Sequence, residues 1–342
     1  MKHLVTGGSG FLGHLIAKKL LEAGEDVRVI DIWKDESMSK DIEFIKCDIL
    51  DTYTVAKAME NIDIVHHNAA LVPLTKSGDL FQTVNVDGSG IVAKAAVKAG
   101  VKAFIYMSSS SIYGYEKCPI TAETPVAPIE TYGQSKWGGE KLVQSICHAA
   151  SLPLICVRPR TILGEGRLGI FQLLFSWIKD GANPYVMGDG NHLYQFVHVN
   201  DLIDAYMLAL GIEKTGIYNV GTDRFGTMRE AITHVIDIAG TTSKVKSLPV
   251  KPTIFALSTL SKLGLSPLVP WHYLTYHKPL YFDMTPLLNL GWKAKYSNNE
   301  MLEESYTWFL ANYEHRFDHN NASGIHRKPV KEGILWLMKK IS

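Results

Sequence analysis

The sequence predicts an α/β fold: a doubly wound parallel sheet with a smaller, mostly helical lobe contributed by the C-terminal half. Three observations predict it. Over the first 160 residues, short β-branched runs alternate with amphipathic stretches whose apolar residues recur at three- and four-residue intervals. A glycine-rich turn, TGGSGFLG at 6–13, joins the first run to the first amphipathic stretch. After Pro159 the alternation gives way to segments punctuated by glycine and proline. Repeated βα units call for right-handed crossovers, which place helices on both faces of a parallel sheet.

The strands read in order as HLVTG, DVRVID, EFIKCD, DIVHHNAA, AFIYMSSS and LICVRP, each closing on small, polar or proline residues. LICV and DIVHH are almost continuously apolar, as strands covered on both faces should be. Between them HLIAKKLLEAG, TVAKAMEN, LFQTVNVDGSGIVAKAAVKAG and TYGQSKWGGEKLVQSICHAAS read as helices, with Gly24 and Gly100 placed as C-terminal stops. QFVHVNDLIDAYMLAL then reads as a strand feeding a helix, and GIYNVG as a further strand. The expected organisation is a nucleotide-binding domain over 1–160 to which 195–221 returns. A substrate lobe is expected from 161–194 and 222–311, over the sheet's carboxyl edge, followed by a tail over 312–342 with a short docking helix.

Bulk properties narrow the class. In 342 residues, 46% are hydrophobic and 20% charged, the composition of a chain that buries a sizeable core. A formal net charge of +1 argues against a dedicated nucleic-acid surface or a polybasic membrane dock. Cys47, Cys118, Cys147 and Cys156 are scattered, with no CxxC pair and no histidine spacing suited to zinc, so reduced thiols and no metal are expected. His66 and His67 lack further ligands and read as strand packing. No apolar run spans a membrane and no signal-peptide pattern opens the chain, so a cytoplasmic location and a small-molecule substrate are expected.

The glycine turn fits two templates at once: Gly7, Gly10 and Gly13 make GxxGxxG, and Gly8, Gly10 and Gly13 make GxGxxG. In either, glycine permits close backbone approach, and the helix opening near Phe11 and Leu12 turns free N–H groups and a positive dipole end toward a pyrophosphate. Asp31 closes the next strand, where a carboxylate accepts hydrogen bonds from the ribose hydroxyls of NAD and repels the 2′-phosphate of NADP. Ile32, Trp33 and Lys34 follow without an arginine, so NAD is favoured over NADP. Asp48 and Ile49 end the third strand, where an adenine edge could be bonded and packed; a helix cap is the other reading of Asp48.

Tyr132 and Lys136 stand four residues apart in YGQSK, on one face of a helix. A neighbouring ammonium favours phenolate, which suits Tyr132 to general acid/base work on an alcohol or carbonyl. Ser108, Ser109, Ser110 and Ser111 end the preceding strand, and any one could donate a hydrogen bond to a substrate oxygen.

Together TGGSGFLG, Asp31, Asn68-Ala69-Ala70, SSSSIYG, YGQSK and VRP resemble the extended short-chain dehydrogenase/reductases, the NAD-dependent epimerase/dehydratase superfamily, from residue 1 to about 310. The resemblance implies a Rossmann-type fold, bound NAD, and the GxxGxxG reading with Gly8 as an accessory. It implies that Ser109, Tyr132 and Lys136 are catalytic, that Asn68, Ala69 and Ala70 border the cofactor, that Asn85 lies near the active site, and that Pro159 lies near the nicotinamide. His198 matches a position that is usually structural. A homodimer through helices near 82–98 and 132–148 is also implied. Dehydratases of this family carry an Asp-Glu pair where Ser110 and Ser111 stand, which disfavours 4,6-dehydration.

Two enzyme readings stay open: an epimerase or reductase of a nucleotide sugar, and an oxidoreductase of a hydrophobic alcohol or ketone. A non-catalytic NAD sensor is a third reading. Nucleotide-sugar members usually carry an arginine where Tyr194 stands; Arg160, Arg167 and Arg224 could supply a phosphate contact from elsewhere. The apolar Leu71-Val72-Pro73-Leu74 loop and residues 248–292 look more like the hydroxysteroid-dehydrogenase and dihydroflavonol-reductase branch.

Overall fold

The alternation in the sequence becomes β1 (Lys2–Thr6), α1 (Phe11–Glu22), β2 (Asp26–Asp31), β3 (Glu43–Lys46), α2 (Thr52–Ala58) and β4 (Ile64–His67). It continues through α3 (Leu80–Gln82), a π-helical turn over Thr83–Gly88, α4 (Ser89–Ala99), β5 (Ala103–Met107), α5 (Thr131–Ala149) and β6 (Leu154–Pro159). The computed structural model describes residues 1–72, 78–114, 117–211, 215–266, 268, 270–313 and 335–341. Pro73, Leu74 and most of the tail expected over 312–342 lie outside them.

Beyond β6 come β7 (Thr161–Leu163), α6 (Phe171–Lys179), β8 (Tyr185–Met187), β9 (Phe196–His198), α7 (Val199–Gly211) and β10 (Gly216–Val220). The remaining elements are α8 (Met228–Ala239), β11 (Lys246–Leu248), α9 (Val250–Lys262), α10 (Pro270–Thr275), α11 (Thr285–Asn289), α12 (Asn298–Ala311) and α13 (Leu335–Ile341). The last of these docks through Lys339, whose ammonium reaches Asp180 at 2.7 Å.

Seven strands form one parallel sheet in the order β10-β6-β5-β4-β1-β2-β3. Neighbouring residues on these strands alternate between two cores. Val5, Val29, Ile105 and Val157 face one side with Ile16, Ala17 and Leu20 of α1. Leu4, Ile30, Phe104 and Cys156 face the other, with Val92, Ala93 and Ala96 of α4 and Val143 of α5. This two-sided burial is why the strands read as continuous apolar runs. The chain leaves β1 toward β2 and β3 on one side and returns to β4, β5 and β6 on the other. The carboxyl ends of β1 and β4 therefore open a crevice at the switch point.

One expectation changes. The returning segment splits: β10 pairs with β6 from Gly216↔Ile155 to Val220↔Pro159, while β9 pairs with β7 in a separate two-stranded sheet. With the flank of β6 taken by β10, β9 pairs instead with the three residues that emerge past Pro159. β8 and β11 form a third small sheet that the sequence did not suggest.

Candidate active site

The glycine turn is held by close contacts. Gly7 has φ +67°, a left-handed conformation that favours glycine, and its N–H donates to the Ile30 carbonyl at 2.9 Å. At Gly13 a Cβ would lie 2.2 Å from the Gly7 carbonyl oxygen, so only glycine lets α1 start this near the turn. Gly8 is more than an accessory, because a Cβ there would lie 2.5 Å from Val29 Cγ1 on β2. Asp31 accepts from Ser9 N–H at 3.0 Å and from Ile32 N–H at 2.7 Å. Burial pushes its carboxyl up and these N–H groups oppose that rise. Thr6 Oγ1 accepts the N–H groups of Asn68 and Ala69, both at 3.2 Å, which ties the end of β4 to β1.

Gly7, Ser9, Gly13, Asp31, Asn68 and Ala69 border one cavity of about 1020 Å³ along the carboxyl edge of the sheet. Its lining includes Gly7, Gly10, Phe11, Leu12, Gly13, Asp31, Ile32, Asp48, Ile49, Asn68, Ala69, Ala70, Ser109, Tyr132, Lys136 and Pro159, so these expected site residues are brought together. Asp48 is not the cap of α2; Asp51 is, accepting Tyr53 N–H at 3.1 Å. Asn85 is the exception among the expected cofactor contacts. It is fully buried in the π-helical turn behind the wall, bonded to Leu71 N–H at 2.8 Å and Ser135 Oγ at 2.9 Å, and shapes the cavity through the Leu71 backbone.

The structure sorts the four serines that chemistry alone could not. Ser108 donates to Glu140 at 2.5 Å, and Ser110 accepts from Arg160 at 3.0 Å. Ser111 donates to Ser109 Oγ at 3.0 Å. Only Ser109 is more than marginally exposed, and its hydroxyl acts on the Tyr132 phenol. Tyr132 follows Glu130, which caps α5 by accepting Tyr132 N–H at 2.8 Å.

Burial pushes the Tyr132 phenol up to about 12, with Glu130 adding to the rise and Ser109 and Arg167 opposing it. The sequence reading gave that opposing role to Lys136. Instead the Lys136 ammonium donates to the Met107 carbonyl at 2.7 Å and lies 4.7 Å from the Tyr106 ring centre. Burial lowers it to about 8, against Glu140. The cation acting on the phenol is Arg167, stacked 5.3 Å from the Phe11 ring centre.

Arg224 does not reach the cavity; it pairs with Glu300 at 3.1 Å. Tyr194 lies fully buried beneath Arg160. Sequence reasoning missed Trp271, His272 and Tyr276, which line the far end from α10 and the residue after it. Nothing in the local pattern of that segment points to β6, more than 100 residues earlier.

His66 and His67 are packing residues. His66 bonds His3 at 2.8 Å and Tyr206 at 2.7 Å; His67 bonds Thr6 at 2.8 Å and Ser89 at 2.9 Å. Burial holds both neutral, His67 down to about 3. Their folded pKa values lie below the unfolded value, so the unfolded state binds more protons as pH falls through the imidazole range. The stability these histidines hold at pH 8 should therefore be lost on acidification, by about 2 kcal/mol each at pH 5. Denaturation midpoints against pH measure this, and His67→Gln should flatten the slope. His198 lines the cavity, stacks on Tyr296 at 3.6 Å and pairs with Glu304 at 3.0 Å. Among the described residues no cluster could hold a metal ion, and no helix is long and apolar enough to cross a membrane.

A profile of the NAD dependent epimerase/dehydratase family matches residues 3–221. The chain is 43% identical over 338 residues to the uncharacterized protein y4nG of Sinorhizobium fredii, covering 98% of this chain and 85% of that one. It is 33% identical over 253 residues to a UDP-glucose 4-epimerase of Lactobacillus helveticus, 65% of this chain and 77% of the relative. The fold matches UDP-glucuronic acid 4-epimerase of Bacillus cereus in complex with NAD at TM-score 0.75 and 22% identity, over 92% of this chain and 100% of that one. The glycine cradle, the Asp31 carboxylate and the buried Asn68 Oδ1, which has no hydrogen-bond partner among the described residues, fit NAD along this crevice. The chain is an enzyme that uses NAD, and it belongs to the NAD-dependent epimerase/dehydratase family.

Proposed function

We propose that the enzyme inverts a secondary alcohol on the sugar of a uridine nucleotide sugar, passing through the ketone. The observation that carries this reading is the Ser109–Tyr132 pair, which lines the same cavity of about 1020 Å³ as the glycine cradle and Asp31. NAD, when bound along the glycine cradle, would supply the hydride acceptor and donor that such an inversion needs. Ser109 holds the reacting oxygen by hydrogen bond, and Tyr132 takes its proton as the alcohol becomes a ketone. Once the sugar has presented its other face, Tyr132 gives the proton back. Lys136, anchored on the Met107 carbonyl, fixes the α5 face that carries Tyr132, and in this reading it also binds the nicotinamide ribose. The resemblance disfavours elimination of water, since dehydratases of this family carry an Asp-Glu pair where Ser110 and Ser111 stand.

The relatives support the nucleotide, since the Lactobacillus helveticus protein is a UDP-glucose 4-epimerase. UDP should raise the thermal midpoint of the NAD-loaded enzyme by several degrees at 100 times its Kd, the shift given by about 2.7 kcal/mol of linkage. An unchanged midpoint at millimolar UDP counts against a nucleotide sugar and for the hydrophobic-alcohol reading.

A further inference from the structure

Arg160 is the first residue beyond β6 and lines the cavity, yet it is only 1% exposed. Its Nε donates to the Gln195 carbonyl at 3.0 Å and its Nη1 to Ser110 Oγ at 3.0 Å. Its guanidinium carbon lies 5.0 Å from the Tyr194 ring centre and 5.7 Å from that of Phe282. Nη2 is buried and has no hydrogen-bond partner among the described residues. Every partner among the described residues is neutral: a carbonyl, a hydroxyl and two ring faces. The chain treats its other buried arginines differently, pairing Arg158 with Glu140 and Arg28 with Glu43.

A guanidinium does not shed its proton to escape burial, so its desolvation cost stands until an anion meets it. Nothing among the described residues supplies that anion, and the cavity is where one can enter. Its position is specific. Through Ser110, Arg160 is tied to the residue next to Ser109, which places the charge at the Ser109 end of the cavity. We propose that Arg160 receives a carboxylate carried on the sugar ring, so that the substrate is a nucleotide-linked uronic acid. A planar fork whose Nη2 is unbonded among the described residues suits a carboxylate better than a hydroxymethyl group, which would leave the charge unpaired. This rests on the nucleotide-sugar reading above and adds the charge of the sugar to it.

The test uses the NAD-loaded enzyme with UDP-glucuronate and UDP-glucose, which differ in a carboxylate against a hydroxymethyl group, and with UDP alone. Epimerisation of UDP-glucuronate should exceed that of UDP-glucose about 100-fold in kcat/KM. Arg160→Met should collapse that ratio by about the same factor, and Arg160→Lys should recover part of it. UDP affinity should not follow the ratio. Because the arginine is an unpaired buried charge before substrate arrives, Arg160→Met should melt no lower than the wild type without ligand.

A preference for the neutral sugar in the wild type overturns the proposal, and that arm needs no variant. Equal losses on both sugars, or an Arg160→Met protein that melts several degrees lower or does not fold, overturn it by making the arginine a core strut. A parallel loss of UDP affinity overturns it by assigning the arginine to the diphosphate. Binding of both sugars without regard to charge removes this proposal and keeps the nucleotide-sugar reading. Failure to bind UDP or either sugar removes both.

Discussion

Tyr132→Phe should lower kcat by about 10³-fold, within the 10²–10⁴-fold span of a positioned general acid/base, while NAD affinity stays within a few-fold. The substitution deletes one oxygen and keeps the ring that meets Phe81 edge-on at 5.9 Å. The Glu130 cap at the start of α5 uses backbone N–H groups and is untouched. Hence the loss reads proton transfer and little else. The pH profile separates this from a packing defect. Burial holds the phenol up near 12, so at neutral pH it carries its proton and is ready to protonate a ketone. To accept a proton from an alcohol it must be brought down, by Arg167, Ser109 and the positive charge of the oxidised nicotinamide. Alcohol oxidation should therefore rise with pH in the wild type and become flat in Tyr132→Phe. A variant that retains kcat within tenfold would show that another group moves the proton.

Glu140→Leu should destabilise the protein by about 3–5 kcal/mol, measured by urea denaturation, and should also lower kcat. Glu140 is fully buried on α5 and pairs with Arg158 on β6, which is 2% exposed. It also accepts Ser108 Oγ at 2.5 Å, and Arg158 donates to the Tyr113 hydroxyl, which in turn donates to Asn219 at 3.0 Å. One carboxylate thus ties the end of β5, the strand β6 and the helix that carries Tyr132 and Lys136. Removing it leaves the Arg158 guanidinium buried without a counter-charge, which costs more than the pair itself is worth. The double replacement Glu140→Leu with Arg158→Met should recover much of the stability, since it removes both charges. A Glu140→Leu protein within 1 kcal/mol of wild type would mean that water reaches Arg158.

Much of this protein was legible before its coordinates, for reasons that can be traced to particular residues. Strand after strand reads as an apolar run because Leu4 and Val5, or Phe104 and Ile105, serve opposite cores. Gly7 and Gly13 announce the turn because the φ of one and the 2.2 Å approach at the other exclude a side chain. Tyr132 and Lys136 share a helix face through spacing alone. These are local constraints, written within a few residues of where they act.

What only the tertiary structure decided is long-range and depends on which groups meet. Four adjacent serines are chemically alike until Glu140 takes Ser108, Arg160 takes Ser110 and Ser111 turns onto Ser109. Lys136 was expected to act on the phenol, but the carbonyl of Met107 at the end of β5 takes its ammonium, and Arg167 from the loop after β7 acts on Tyr132 instead. Asn85 faces a backbone segment and not the cavity. By itself the sequence determined the sheet, the glycine cradle and the residue types that line the candidate site, because periodicity and glycine sterics act locally. The fold decided which side chains remain available for chemistry, because each buried polar group bonds to whatever partner the packing of distant elements brings within reach.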